Sequence, residues 1–305
     1  MPASPALPIS VVIPHLTQPD FLAQCLQSLQ AGAVQPAQII VVDNGSAQLP
    51  EAICAQFEGV RLLREDTPGP GPARNLGVAH SSGEVLAFID ADCLADLGWL
   101  AAAAEQMADP EAQVLGCEVR FADTDPARLT AREAYESIYA YRMDRYIARE
   151  GFTGTGNLVV RRRVLEDVGP FAGLSVAEDR DWGRRATAKG YAIRYVAGMK
   201  VYHPARARFD ELKQKWDRQM AHDFTDAQTR SGGRMKFALK TLAMGVSPLA
   251  EVPRVLGSDR IEGARNRALA FGALTRIRLY RAGRMAQLVT GALAADDLSG
   301  RWNRG

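Results

Sequence analysis

The sequence predicts an α/β protein, a mostly parallel sheet flanked by helices and followed by a helical C-terminal extension. Three observations predict it. Short β-branched runs alternate with helical stretches over the first hundred residues, and polar residues follow those runs at their carboxyl ends. Charge also changes sign along the chain: residues 1–200 carry 18 basic and 25 acidic side chains, and residues 201–305 carry 19 and 10. An acidic front and a basic tail imply two surfaces with different jobs.

Ile9 to Ile13 is a short apolar run closed by Pro14, the signature of a buried parallel strand. Asp20 is placed to cap a helix over 21–31, where Phe21, Leu22, Cys25, Leu26 and Leu29 share one face. Ile39 to Val42, Val60 to Leu63 and Val85 to Ile89 read as three further strands. Helices are expected at 50–57, 73–81 and 99–107, each between or after strands. Val114 to Phe121 reads as a strand, and Ala127 to Arg149 as one long helix. An apolar run follows Gly154 and Gly156, then a helix over 179–189, and short strands at 191–196 and 200–202. From Phe209 onward the pattern is helical, broken at Pro248, Pro253, Gly257 and Gly263. The boundaries expected are 1–208 for the α/β domain and 209–305 for the extension.

Composition narrows the class. Of 305 residues, 47% are hydrophobic and 24% charged, which excludes a disordered chain. A net charge of +2 does not demand a nucleic-acid partner, and the basic tail lacks interleaved stacking aromatics. Cys25, Cys54, Cys93 and Cys117 form no Cys-x-x-Cys pair and are read as reduced, buried thiols. No basic-then-apolar leader is recognised at Met1 to Pro8, and no run reaches a transmembrane length. The expectation is a cytoplasmic protein, in reach of the inner face of a membrane.

Five groups carry chemistry. Asp90-Ala91-Asp92 follows a buried strand, where carboxylates at i and i+2 face one way and meet one divalent cation; a helix cap is the bland reading. Asp43 in Val42-Asp43-Asn44-Gly45-Ser46 is placed to accept from a nucleobase or ribose, although the same residues make an ordinary turn. Arg74, in the first turn of its expected helix, presents a fork of donors to a phosphate or base, or forms a surface ion pair. Glu178-Asp179-Arg180-Asp181 reads by itself as a charged helix start, where acids are stabilised. His203 closes a strand, by itself most simply a structural residue. A dinucleotide-binding reading of Pro68-Gly69-Pro70-Gly71-Pro72 is weaker, because no Gly-x-Gly-x-x-Gly follows the first strand.

Together, Val11-Val12-Ile13-Pro14, Val42-Asp43-Asn44-Gly45-Ser46, Ala73-Arg74-Asn75-Leu76-Gly77, Ile89-Asp90-Ala91-Asp92, Gly154-Thr155-Gly156-Asn157 and Glu178-Asp179 resemble the family 2 inverting glycosyltransferases. The resemblance runs from Ile9 to about His203. It implies a GT-A type fold, a Rossmann-like sheet flanked by helices. It also implies transfer of a sugar from a nucleotide-sugar donor, most often UDP-linked, to an acceptor hydroxyl. By resemblance, Pro14 and His15 border the nucleobase, Asp43 binds it, and Arg74 lies near base and phosphates. Asp90 meets ribose or metal, Asp92 ligates Mn²⁺ or Mg²⁺, and His203 joins the metal. Gly154, Gly156 and Asn157 approach the sugar and acceptor. Asp179 is the general base and Glu178 positions it or binds acceptor, with Asp181 the weaker candidate.

The tail lacks the Gln-x-x-Arg-Trp signature and spans of processive synthases, which favours single sugar addition. It is read in two ways. One is a packed helical subdomain with a basic solvent face, and the other is a peripheral membrane contact suited to a lipid-linked or cell-envelope glycan acceptor. A homodimer interface is a further use. The rivals to a transferase are a nucleotidyltransferase and a non-catalytic nucleotide-binding scaffold of the same fold.

Overall fold

Strands that read as unbroken apolar runs bury both of their faces, and here they form the middle of a sheet. The protein is seen in a computed structural model that describes residues 8–122, 128–174, 176–204, 209–229 and 231–295. The chain divides into two compact units, Met1–Ala122 with Tyr141–Pro204, and Asp123–Ala140 with Ala205–Gly305.

In the first unit the strands are β1 (Ile9–His15), β2 (Gln38–Asp43), β3 (Val60–Arg64), β4 (Val85–Ile89), β5 (Leu94–Ala95), β6 (Val114–Phe121), β7 (Asn157–Arg161) and β8 (Ile193–His203). They make one sheet in the order β3-β2-β1-β4-β7-β6-β8-β5. The pairs among β3, β2, β1 and β4 are parallel, as is β6 with β8, whereas β7 runs antiparallel to both β4 and β6. In chain order the helices are α1 (Pro19–Gln30), α2 (Glu51–Cys54), α3 (Pro70–Ala79), α4 (Trp99–Met107), α5 (Ala131–Tyr139), α6 (Met143–Glu150), α7 (Arg162–Val168) and α8 (Glu178–Ala188), of which α5 belongs to the second unit.

Alternate strand residues divide between two cores. Val11, Ile13, Ala87 and Ile89 pack against Leu22, Cys25 and Leu26 of α1 and Trp99 of α4. Val12, Leu86 and Phe88 pack with Val78 of α3, Val164 of α7 and Trp182 of α8. The four cysteines are free and buried.

Several elements differ from the sequence reading. Asp20 lies in the first turn of α1 and makes no cap, because the helix already starts at Pro19. α3 starts at Pro70, which moves Arg74 into the second turn. The two short strands expected after residue 190 are one strand, β8, paired with β6 across a register shift between Cys117 and Glu118. The expected long helix is two. Its start at Ala127 lies outside the described residues, and the Thr130–Glu133 capping box opens α5. The break falls at Tyr141, which takes a left-handed φ of 48°.

The second unit adds α9 (Phe209–Gln228), α10 (Gly233–Ala250), α11 (Val252–Leu256) and α12 (Gly263–Thr290) to α5. Met220 and Phe224 of α9, Phe237 and Met244 of α10, and Met285 and Leu288 of α12 share a core. Ala134 and Ile138 of α5 pack with Val255 and Ala270. Pro248 does not break α10. The carbonyl its missing N–H leaves at Met244 accepts from the Ser247 hydroxyl at 2.8 Å instead. Pro253, Gly257 and Gly263 do mark helix boundaries.

α3 lies hard against the sheet, and Gly77 is where the two meet. A Cβ there would sit 2.4 Å from Val12 Cγ1 and 3.3 Å from Val42 Cγ2. Gly77→Ala is expected to destabilise the protein by about 1–3 kcal/mol through overpacking, read as a lower thermal midpoint.

Candidate active site

The order β3-β2-β1-β4 reverses direction between β1 and β4. In an open α/β sheet that reversal leaves a crevice beyond the carboxyl ends of the two strands. His15 closes β1, and Asp90 follows β4. Because β7 is antiparallel to β4, with Asn157 opposite Ile89, the chain entering β7 arrives at the same crevice.

Arg74 organises this place. It is 2% exposed, and its Nη2 donates to Asp90 Oδ1 at 2.6 Å and its Nη1 to Glu178 Oε1 at 2.9 Å. The fork expected to face a ligand thus joins two carboxylates, from the end of β4 and the start of α8. Gly156 is the close neighbour of the other Asp90 oxygen: a Cβ there would lie 2.4 Å from Asp90 Oδ2. Only glycine lets the backbone come so near.

Glu178 and Asp179 open α8, where the helix dipole favours acids. Asp179 Oδ1 accepts from the Arg180 N–H at 2.7 Å. Its carboxyl is pushed above the usual range by burial first and by the Glu178 charge second, with the Arg180 hydrogen bond and Arg74 opposing. A carboxyl lifted in this way is suited to accept a proton nearer neutrality.

Asp92 and His203 form a second corner. Asp92 Oδ2 is 3.4 Å from His203 Nε2. His203 Nδ1 donates to the Pro204 carbonyl at 2.7 Å, which turns Nε2 toward Asp92. The Tyr141 hydroxyl lies 3.1 Å from that nitrogen, and its ring packs on the imidazole. Two acceptors facing each other at this distance fit a shared cation, with the ring oriented from behind by a backbone carbonyl. Burial pushes the Asp92 carboxyl up, His203 opposes, and Asp90 adds to the rise. Among the described residues Cys93 completes a group with ligand atoms within 4.8 Å of one another. Its thiol is buried and pushed well up, so it stays protonated, and Asp92 supplies the hard oxygen with His203 a borderline second donor that suits Mn²⁺ better than Mg²⁺.

At the end of β2, Asp43 is fully buried. Its Oδ2 accepts from His15 Nδ1 at 2.8 Å, and its Oδ1 from the N–H groups of Gly45 and Ser46 at 3.2 and 2.9 Å. Burial raises the carboxyl, but the hydrogen bonds from Ser46 and His15 outweigh it and hold it below the usual range. His15 Nε2 in turn accepts from the Gln18 N–H.

A family model described as glycosyl transferase family 2 matches residues 10–169. A glycosyltransferase of Haloferax volcanii, AglE, is 34% identical over 215 residues, covering 68% of this chain and 70% of its own. The chain belongs to glycosyltransferase family 2. Two solved structures share the fold. A Pyrobaculum calidifontis mannosyltransferase in complex with GDP-Man and Mn²⁺ has a TM-score of 0.59 at 16% identity, over 92% of this chain and 86% of its own. A glucosyl-3-phosphoglycerate synthase of Mycobacterium tuberculosis, with Mn²⁺, UDP and phosphoglyceric acid, has a TM-score of 0.50 at 22% identity, over 68% and 74%. The GT-A type fold and the helical C-terminal region agree with the sequence reading.

Within this family 2 glycosyltransferase the structure brings Arg74, Asp90, Gly156 and Glu178 together, and Asp92 with His203. Two of the expected residues are buried with their polar atoms bonded within the chain. The Asp43 carboxylate is enclosed, and its hydrogen bonds hold the turn after β2. Asn157 is 1% exposed: its Oδ1 accepts from Trp99 Nε1 at 2.8 Å, and its Nδ2 donates to the Glu118 and Met199 carbonyls. That side chain fastens β7 to α4, β6 and β8. Gly154 donates its N–H to Met143 Sδ. Pro14 lies within β1, opposite Val42 of β2.

Sequence reasoning missed Tyr141 and the neighbourhood of Cys93. No Gly or Pro marks the break at Tyr141. Cys93 was visible only as the residue after Asp92. Asn157→Ala is expected to cost about 2 kcal/mol, since it leaves the buried Trp99 N–H without its acceptor. Nucleotide affinity, measured by titration on the folded variant, should stay at the wild-type value.

Proposed function

We propose that this family 2 glycosyltransferase moves a hexosyl group from a nucleoside-diphosphate sugar to an acceptor hydroxyl by a single, inverting displacement. The observation that carries the reading is the Arg74 bridge, which gathers Asp90 and Glu178 beside a carboxyl, Asp179, held above its usual range.

Asp179 accepts the proton of the acceptor hydroxyl as that oxygen attacks the anomeric carbon. Glu178, tied to Arg74, fixes the first turn of α8 and so the position of its neighbour. Gly156 lets the chain entering β7 pass beside Asp90, and with Gly154 it borders the crevice where sugar and acceptor would meet. The nucleobase rests against the Pro14–His15 end of β1, with Asp43 holding the adjoining turn. Asp92 and His203 would hold Mn²⁺ or Mg²⁺, with Asp90 in reach of ribose or metal. When bound, such a cation neutralises the departing nucleoside diphosphate. The donor is read as UDP-linked; the mannosyltransferase neighbour carries GDP-Man and the synthase neighbour UDP, which makes the base an experimental question. The acceptor is read as a glycan or lipid-linked precursor of the cell envelope.

Transfer assays with a panel of nucleotide sugars test this. Asp179→Asn is expected to lower turnover about 10²–10⁴-fold while donor affinity stays. Near-normal transfer by that variant removes the base assignment. In the wild type, the acid limb of the rate profile should lie above the ordinary carboxylate range. Arg74 opposes the rise of Asp179, so Arg74→Gln should move that limb to higher pH. Nucleotide binding without any transfer would instead favour a scaffold of the same fold.

Removing the cation with a chelator should abolish turnover and lower the thermal midpoint measured with nucleoside diphosphate, since a ligand of the native state stabilises it. Asp92→Asn and His203→Ala should each weaken Mn²⁺ binding measured by calorimetry. Turnover that survives exhaustive chelation removes the metal from the reading.

A further inference from the structure

Three arginines of α12 are tied inward, while Arg265 and Arg276 are exposed. Arg278 bonds Glu251, Arg281 stacks on Trp216 at 4.0 Å, and Arg267 donates to the Leu256 and Ser258 carbonyls. The outward apolar surface belongs to α10. Phe237, Thr241, Met244 and Pro248 turn one face of that helix inward. On the opposite face Met235, Leu239, Leu242, Val246 and Leu249 are each between 59% and 74% exposed. Their spacing of four, three, four and three residues draws one stripe about 21 Å long at 1.5 Å per residue.

From this we infer that the outward face of α10 docks in the plane of an anionic lipid surface. The inference rests on α10 itself and not on the transfer reading. Charge on the helix selects the occupant. Arg234 lies on one side of the stripe, and Lys236 and Lys240 on the other, at the amino-terminal half. α10 contains no Asp or Glu. Lys240 is paired with Asp223 at 2.8 Å, whereas Arg234 keeps its charge, donating to the Val289 carbonyl, and Lys236 is exposed on the other side of the stripe. A second copy's α10, in either direction, offers Arg234 and Lys236 no carboxylate, whereas an anionic headgroup layer answers both. A helix apolar along one face and flanked by cations lies in the interface with its apolar side in the acyl boundary. No helix among the described residues is long and apolar enough to cross a membrane, so the contact is peripheral.

The full chain should co-sediment with phosphatidylcholine vesicles carrying about one-third phosphatidylglycerol, and not with pure phosphatidylcholine. Salt at about 0.5 M should weaken the binding. Leu242→Glu with Val246→Glu should weaken it about tenfold or more. Both sites are exposed, so the thermal midpoint should hold, and Lys236→Glu offers a milder check on the charge. Absence of sedimentation, equal binding to neutral vesicles, or wild-type binding by the double variant overturns the inference. So does a dimer in light scattering that the same pair of substitutions dissociates, which would assign the stripe to a second copy.

Discussion

One buried guanidinium sets the geometry of this glycosyltransferase. Arg74 is held on α3, between a carboxylate 16 residues away at the end of β4 and another 104 residues away at the start of α8. A charge withdrawn from water is tolerated only where opposite charges meet it with good geometry, and breaking such a set leaves the remaining members uncompensated. The demand runs outward from the bridge. α3 must lie close on the sheet, which Gly77 permits. The chain into β7 must pass beside Asp90, which Gly156 permits. α8 must begin at the crevice, which places Asp179 there as well.

The neighbouring corner follows another constraint, crowding of like charge. Burial and repulsion raise both carboxyls, from Asp90 at Asp92 and from Glu178 at Asp179, and each is opposed by a cationic or imidazole partner from a different element. The imidazole of His203 is oriented by the Pro204 carbonyl and packed against Tyr141, whose left-handed backbone lies between α5 and α6. Positive φ in a bulky residue is strain that the surrounding packing must hold. Here the strain accompanies the placement of an aromatic ring on a candidate metal ligand.

In the second unit the arginines act as internal ties. They satisfy carbonyls, meet Glu251 and Asp217, and stack on Trp216 and Tyr139. A guanidinium does this well because its plane and fork serve a ring face and several acceptors at once. Using the basic residues inward leaves α10 as the element with an unanswered face.

Much was legible in the sequence for a local reason. The strands of the front half are buried on both faces, and that requirement writes itself as short apolar, β-branched runs that other structures seldom use. The acids at strand ends were legible because a buried strand has few other reasons to terminate in a carboxylate. Local reading cannot separate two uses of one residue type. Asp43 and Asn157 each suit a ligand contact by sequence, and in the fold both also hold the chain through buried hydrogen bonds. Pro248 signalled a break that the Ser247 hydroxyl offsets.

The sequence by itself determined the fold class, the strand carboxyl ends where chemistry gathers, the family resemblance and the helical character of the tail. These follow from patterns only a few residues long. Tertiary structure alone decided that Arg74 faces Asp90 and Glu178, that Asp92 faces His203, and which side of α10 is left in water. Each depends on segments distant in the chain, and no spacing along the sequence encodes the distance between them.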